Sequence, residues 1–289
     1  MIRPALVQLA ILSALAAVLV CAEPAPAEAT PGGGGGGIGG ITLVPTRIVL
    51  EGNVRSAEVL VQNSGRTPAT MRVSLVHTRM TPAGVVEQVD SPTPTDLLSE
   101  SLLRLSPKQV LVEPGKAQRI RLIVRKPAGL PEGEYRVNLL VQQIPTITKT
   151  TGNLPAGKVG LQVVAIPAIS IPVIVRHGKL TATASLSDVR IEQKPKKPAE
   201  IVVKLHRSGN RSVYGDLVAT FQPAKSRKVV DAGLIRGIAV YVPLEARQVS
   251  IHINPEALPQ LHGGRLRLTF NLPADQGGAQ LAETTVALP

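Results

Sequence analysis

Residues 113–124 have the sequence EPGKAQRIRLIV, and this segment is the clearest guide to the architecture of the chain. It begins with the turn signal Glu113-Pro114-Gly115 and continues with polar and apolar residues in alternation through Arg119-Ile120-Arg121-Leu122. Because successive side chains of a β-strand point to opposite faces, the alternation predicts a strand with one buried and one exposed face. A turn followed by such a strand is the repeating unit of an antiparallel β-sandwich.

The same pattern recurs on both sides of this segment. Short apolar or alternating runs fill the first half of the chain, separated by turn signals such as Asn63-Ser64-Gly65. Helical periodicity is nearly absent, although Thr95–Leu103 could form a turn or two. Runs at this spacing are what a seven-strand immunoglobulin-like sandwich needs. They are Ile41–Leu50, Ala57–Gln62, Thr70–Thr78, Leu102–Val112, Gln118–Val124, Glu134–Gln143 and Gly160–Val175.

The second half of the chain echoes the first. Lys197–Val203 (KPAEIVV) resembles Arg55–Val61 (RSAEVLV), and Glu245–Ile251 occupies the place that Lys116–Leu122 has in the first half. Matches in the same order indicate a duplicated module. The sequence therefore predicts an all-β fold with two tandem immunoglobulin-like β-sandwich domains, residues 41–177 and residues 178–289.

The N-terminus has the features of an export signal. Arg3 is followed by the apolar run Leu6–Val20 and by Ala27-Glu28-Ala29, an A-x-A cleavage pattern, so residues 1–29 are predicted to be a signal peptide. Lipid attachment at Cys21 is disfavoured because Val20 stands where that pattern wants a small residue. The glycine run in residues 30–40 predicts a flexible tether.

Composition narrows the class of protein. The 289 residues carry a formal net charge of +12, and 44% of them are hydrophobic, which is too apolar for a disordered chain. The basic residues are dispersed and there is no Trp, so nucleic-acid binding is not expected. An anionic membrane surface, acidic client proteins or a merely solvated basic surface all fit this charge.

No catalytic or metal-binding pattern is found. The histidines show no tight ligand spacing, no cysteine lies near them, and no G-x-S-x-G motif occurs. The acidic residues are scattered and form no evident acid–base pair. The chain is predicted not to be an enzyme, and no cofactor, metal or small-molecule substrate is expected. The histidines are His77, His177, His206, His252 and His262.

Several motifs together resemble the periplasmic chaperones of pilus and fimbrial assembly. They are Pro45–Val49 (PTRIV), Leu111–Gly115 (LVEPG), Tyr135–Leu139 (YRVNL) and Gln143-Ile144-Pro145. The resemblance covers most of residues 41–177, and the second half is similar to the second domain of that family in position and class. It implies a periplasmic protein that binds pilin-like subunits by lending them a β-strand, hands them to an outer-membrane usher, and can form a weak homodimer.

The resemblance also implies a site for the C-terminal carboxylate of the subunit, held by an arginine on the first strand and a lysine on the last. Arg47 matches the arginine, but Pro172 falls at the lysine position. Arg176, His177 or Lys179 would then have to substitute, with Arg176 the preferred candidate, unless the subunit terminus is held in another way. Arg47 also fits a plainer interpretation, an outward residue on the polar phase of an alternating strand.

The last strand of the first domain has an unusual pattern. Between Leu161 and Val173 every odd-numbered residue is apolar, and the even-numbered ones are mixed. Such a strand either packs into both layers beneath the second domain or offers a face to another chain. In the second case the lent side chains are predicted to be Leu161, Val163 and Ala165.

Two other functions remain open at this point. One is a non-catalytic structural or adhesive module of the cell envelope that lends no strand. The other is a carbohydrate-binding sandwich, which the absence of Trp and the presence of only 3 Tyr disfavour.

Overall fold

The alternating segments fold into two β-sandwiches. A computed structural model describes residues 37–38, 40–145, 165–224 and 226–289, and the strands in these ranges all lie in the unit Gly35–Pro289. The first sandwich contains β1 (Gly37–Ile38), β2 (Ile41–Val44), β3 (Ile48–Leu50), β4 (Ser56–Asn63), β5 (Ala69–Val76), β6 (Thr78–Met80), β7 (Val86–Gln88), β8 (Leu103–Ser106), β9 (Gln109–Val112), β10 (Ala117–Val124), β11 (Gly133–Gln143) and β12 (Ala168–His177).

These strands form two facing sheets. One sheet has the order β1-β2-β4-β10-β8, the other has the order β3-β12-β11-β5-β9, and β6 and β7 form a separate hairpin. All pairings are antiparallel except that of β3 with β12, which is parallel. The apolar phases of the two sheets meet in one core, which includes Val59, Val61, Ile120, Leu122, Leu139 and Val173.

The segment 113–124 folds as its pattern predicts. Gly115 has a φ of +68°, a conformation that glycine adopts without steric cost, and β10 begins two residues later. Along β10 the side chains of Ile120, Leu122 and Val124 are buried, whereas Arg119 is exposed. The two phases of the alternation thus separate a core face from a solvent face.

Two of the predicted runs divide into separate strands. Ile41–Leu50 gives β2 in one sheet and β3 in the other, and Leu102–Val112 gives β8 and β9, again in different sheets. Prolines lie between the strands of each pair, at Pro45 and Pro107. Since proline cannot donate a ladder hydrogen bond, these are positions where a chain readily leaves one sheet for the other.

The second sandwich repeats the architecture. Its sheets have the orders β13-β14-β17 and β16-β15-β18-β19. Its core is separate from the first and includes Phe221 and Phe270. The prediction of an all-β fold with two tandem immunoglobulin-like sandwiches is confirmed. The strands are β13 (Ala182–Glu192), β14 (Glu200–Gly209), β15 (Val213–Pro223), β16 (Val230–Val240), β17 (Ala246–His252), β18 (Gly264–Asn271) and β19 (Gln280–Leu288).

One short α-helix, α1 (Pro94–Ser101), lies where a turn or two of helix is predicted. Thr93 caps its N-terminus, and Asp96 completes a capping box by accepting a hydrogen bond from the backbone of Thr93. Short 3-10 helices span Leu258–Gln260 and Ala274–Gln276. In the ranges that the structure describes, no helix is both long and apolar enough to cross a bilayer.

A small apolar cluster joins the two sandwiches. Ile174 of β12 packs with Ala239 and Tyr241 of the second sandwich, and Val49 and Tyr214 pack around them. The predicted signal peptide, residues 1–29, lies outside the described residues. Of the predicted tether, Gly37–Ile38 pairs with β2 as a short edge strand.

Candidate functional site

Arg47 lies at the seam between the two sandwiches, immediately before β3. In the parallel pairing of β3 with β12, Ile48 is opposite Val173, which places Arg47 beside Pro172. Because side chains alternate along a strand, Arg47 shares the sheet face of Val49, which packs in the cluster between the sandwiches. The second sandwich therefore covers the face on which Arg47 lies.

Arg47 has no anionic partner among the described residues. Its guanidinium carbon is 4.3 Å from the centroid of the Tyr214 ring, and its Nε is shielded from solvent without a hydrogen-bond partner. No carboxylate of the described residues lies within 4.0 Å of it. Burial lowers the pKa of Arg47, which means that the surroundings disfavour its charge.

Arg136 on β11 is in a similar position. Its guanidinium carbon is 4.6 Å from the centroid of the Tyr241 ring, and burial lowers its pKa as well. It donates to Thr78 Oγ1 at 2.8 Å, to the Thr78 carbonyl at 2.8 Å and to Asn138 Oδ1 at 3.2 Å, while Nε has no partner. It is therefore oriented by neutral acceptors, and no carboxylate of the described residues lies within 4.0 Å of it.

Arg176, the other predicted carboxylate-binding residue, is already engaged by two acidic side chains. Its Nε donates to Glu134 at 2.9 Å and its Nη1 donates to Glu51 at 3.0 Å. The Arg176 and Glu134 side chains are only 5% and 1% exposed, whereas that of Glu51 is 49% exposed. Glu134 also accepts hydrogen bonds from the backbone and the hydroxyl of Ser212, so this ion pair connects the two sandwiches.

The predicted donor residues lie largely beyond the described part of the chain. Leu161 and Val163 lie outside the described residues, and Ala165 is exposed three residues before β12 begins. Within β12, one side pairs with β11 along Ala168–His177, but the other side pairs with β3 only at Val173–Val175. Among the described residues, the segment Ala168–Pro172 is therefore hydrogen-bonded to a neighbouring strand on one side only, and its other side is an open sheet edge.

Both faces of β12, the last strand of the first sandwich, pack against other parts of the protein. Ile171, Val173 and Val175 belong to the core of the first sandwich, and Ile174 on the opposite face packs against the second. Pro172 is half-buried at the position of the missing lysine. Lys179, another candidate substitute, is exposed after the strand has ended.

Sequence reasoning missed Glu134, Arg136, Ser212, Tyr214 and Tyr241. Arg136 was part of a recognised strand, but the polar phase of an alternating strand normally faces solvent. Here the polar side chains of β11 face the second sandwich, and no local sequence pattern predicts that another domain covers them. The tyrosines lie far along the chain from the arginines that they contact, and a single sequence carries no signal for that pairing.

The arrangement is suited to binding an anion and shows no catalytic constellation. Two arginines without carboxylate partners lie on one covered face, and charge-assisted hydrogen bonds from such groups to a carboxylate are strong. Across the ranges that the structure describes, no group of three or more His, Cys, Asp or Glu side chains is placed to hold a metal ion. In class, the protein is thus a pair of immunoglobulin-like sandwiches with arginines along the seam between them.

The family follows from comparison with known proteins. Residues 40–180 match the family model described as pili and flagellar-assembly chaperone, PapD N-terminal domain. The resemblance inferred from the sequence is therefore confirmed, and the N-terminal sandwich belongs to this chaperone family. The match supports a chaperone role and agrees with the expectation that the chain is not an enzyme.

Solved structures of pilus chaperones are also similar, at low identity. The YadV chaperone is 14% identical, with a TM-score of 0.43, covering 86% of this chain and 100% of that chain. The CupB2 chaperone of Pseudomonas aeruginosa is 16% identical, with a TM-score of 0.42, covering 85% and 100%. The CsuC–CsuE chaperone–tip adhesion subunit complex of Acinetobacter baumannii is 13% identical, with a TM-score of 0.42, covering 86% and 97%. No curated protein sequence matches the chain.

Proposed function

We propose that the protein is a periplasmic chaperone that binds pilin-type subunits by donating a β-strand. The family match and the export signal predicted from residues 1–29 support this role and this compartment. The observation that carries the proposal is the open edge of β12 at Ala168–Pro172, because addition of a strand to an exposed sheet edge is a common mode of peptide recognition, with chaperone–pilin pairs among its known examples.

The donated side chains are Leu161, Val163 and Ala165. They continue the odd-numbered phase of Ile171 and Val173, which faces the core of the first sandwich. A subunit strand paired along this edge would receive these side chains into its own incomplete core. The same edge is available to a second copy of the chain, which would give a weak homodimer, and an outer-membrane usher is the proposed recipient of the loaded subunit.

Arg47 anchors the C-terminal carboxylate of the subunit in this proposal. It lies beside Pro172 at the end of the open edge, and no carboxylate of the described residues satisfies it. Arg176 can make a second contact only by releasing Glu51, whose side chain is half-exposed, because Glu134 is buried against it.

The test is capture of a pilin-type subunit that is unstable alone. The subunit is co-expressed in the periplasm with the tagged chain, and the amount that co-purifies is compared for the unaltered chain, Arg47→Glu and Arg66→Glu. Arg66→Glu is the control, because Arg66 is exposed in a loop away from the seam. Arg47→Glu is expected to abolish capture because a carboxylate would face a carboxylate.

Unchanged capture by Arg47→Glu, with the fold intact by circular dichroism, would contradict the anchor. Failure of the unaltered chain to retain any pilin-type subunit would instead favour a structural or adhesive envelope module.

A further inference from the structure

Arg47 and Arg136 lie on the same face of one sheet. Arg47 is next to Pro172 on β12, and Arg136 on β11 is directly opposite Ile174. Residues opposite each other in a sheet share a face, as do residues two apart along a strand, so the two arginines share the face of Ile174. Two strand spacings across and two residues along place their Cα atoms about 12 Å apart.

Both arginines converge on the same phenol of the second sandwich. Burial raises the pKa of Tyr241, and the charges of Arg47 and Arg136 both act against that rise. Arg136 stacks on the Tyr241 ring, and Arg47 stacks on the neighbouring Tyr214. Two cations are thus held around one tyrosine, and among the described residues neither has a carboxylate within 4.0 Å.

Arg136 can be approached from outside. It lines a groove of about 360 Å³ between the sandwiches, together with Arg79, Met80, Tyr241, Pro243 and one acidic residue, Glu245. Arg79 is not an available cation there, since its guanidinium makes two hydrogen bonds to the Asp96 carboxylate, at 2.8 and 2.6 Å. Arg136 is the cation in this groove whose charge is left for an incoming anion.

We propose that Arg136 is a further cation of the carboxylate site and supplies the positive charge that Pro172 cannot. This inference rests on the proposed function, because it takes the ligand to be the C-terminal carboxylate of a bound subunit. In this proposal the carboxylate binds on the sheet face that Arg47 and Arg136 share, between the two arginines. Arg247 is not part of this site, because it lines a different groove, with Pro82 and Ala83.

The experiment compares two peptides that differ only at the C-terminus. A fluorescent twelve-residue peptide of alternating apolar and polar residues is made once with a free carboxylate and once as the amide. Fluorescence anisotropy gives the ratio of the two affinities for each variant. If each arginine makes one charge-assisted hydrogen bond, each contributes about tenfold to the preference for the free acid.

Arg47→Gln and Arg136→Gln are each expected to lower the acid preference about tenfold, and the double variant is expected to remove it. Arg136→Lys should retain most of it because the charge remains. Arg121→Gln is the matched control, since Arg121 is exposed on β10 of the same sandwich.

A rescue experiment distinguishes a role of Arg136 in binding from a purely structural role. Pro172→Lys introduced into the Arg136→Gln background should restore the acid preference, whereas a loss caused by misfolding would not respond to a lysine on the neighbouring strand. If Arg47→Gln lowers the preference and Arg136→Gln leaves it unchanged, the inference about Arg136 is overturned and the proposed function stands. If the unaltered chain binds acid and amide equally, the carboxylate site is overturned and this inference with it, whereas strand donation is tested separately by the capture experiment.

Discussion

At the scale of single residues, Arg47 combines a favourable contact with an unfavourable one. Its stacking on Tyr214 contributes about 0.5–2 kcal/mol, as cation–π contacts generally do. Against this, its Nε is buried without a partner, which costs about 1–3 kcal/mol. The two terms nearly cancel, so the folded state gains little from this arginine.

We therefore expect Arg47→Met to leave the free energy of unfolding within about 1 kcal/mol of the original value, because an apolar side chain of similar length needs no hydrogen bond at Nε. Denaturant unfolding followed by circular dichroism measures this change, and subunit capture measured on the same protein should be lost. A loss of several kcal/mol would show that Arg47 serves the fold instead of a ligand.

The sequence predicted part of this site. Arg47 was identified through the motif Pro45–Val49, and its strand and its phase on that strand followed from alternation. The sequence could not predict that Arg176 is already paired with Glu51 and Glu134. These residues come into contact only when β3, β12 and β11 lie side by side in the folded sheet. The availability of Arg136 depends in the same way on long-range packing.

At the scale of elements, periodicity located the strands but not the sheet to which each one belongs. The run Ile41–Leu50 was predicted as one strand, yet β2 and β3 lie in different sheets. Alternation reports which side chains are buried, and both sheets of a sandwich bury their side chains in the same core. A change of sheet within a run therefore leaves the hydrophobic pattern almost unaltered, and proline is the only local sign of it.

The first turn of helix α1 is anchored by the ion pair of Arg79 with Asp96. The Arg79 guanidinium, by two hydrogen bonds, holds the pKa of Asp96 well below its usual range, and Asp96 also caps the helix at Thr93. A carboxyl whose pKa is lowered in the folded state contributes stability above its unfolded pKa and loses that contribution as the pH falls.

Asp96→Asn is accordingly expected to lower the free energy of unfolding by about 1–3 kcal/mol at neutral pH. The difference between Asp96→Asn and the original chain should shrink as the pH falls below about 4, since the original carboxyl then becomes protonated in the unfolded state. Urea unfolding at a series of pH values provides the measurement. A difference that stays constant down to pH 2 would contradict the role assigned to the ion pair.

In the proposed donor strand, the effect of a charge can be compared between an odd-numbered and an even-numbered residue. Val163→Asp is expected to reduce subunit capture strongly because a charged side chain would enter the apolar core of the subunit, at a cost of several kcal/mol. Gln162→Asp is the matched control, since it places the same charge on the even-numbered phase one residue away. Co-purification yields, corrected for the amount of chain, give the comparison. Equal yields from the two variants would rule out lending of the odd-numbered side chains.

At the scale of the whole molecule, several kinds of contact join the two sandwiches, including an ion pair between Arg211 and Glu51. An apolar cluster forms around Ile174 and Tyr241, two arginines of the first sandwich stack on tyrosines of the second, and Glu134 receives hydrogen bonds from Ser212. The ion pair of Glu134 with Arg176 supports the hydrogen bonds between Glu134 and Ser212. Because the proposed carboxylate site lies on the same seam, the contacts that hold the sandwiches together would also determine its shape.

Glu134 is the residue on which this connection depends most. Glu134→Gln removes the charge that compensates Arg176, and loss of one member of a buried pair usually costs about 3–5 kcal/mol. We expect lower stability and, in small-angle scattering, a larger radius of gyration as the second sandwich loses its fixed contact at Ser212. Glu283→Gln is the control, because its ion pair with Arg267 is exposed on the second sandwich and should affect stability little. If Glu134→Gln unfolds no more readily than this control, Glu51 alone must be enough to satisfy Arg176, and the other contacts between the sandwiches must be enough to hold them together.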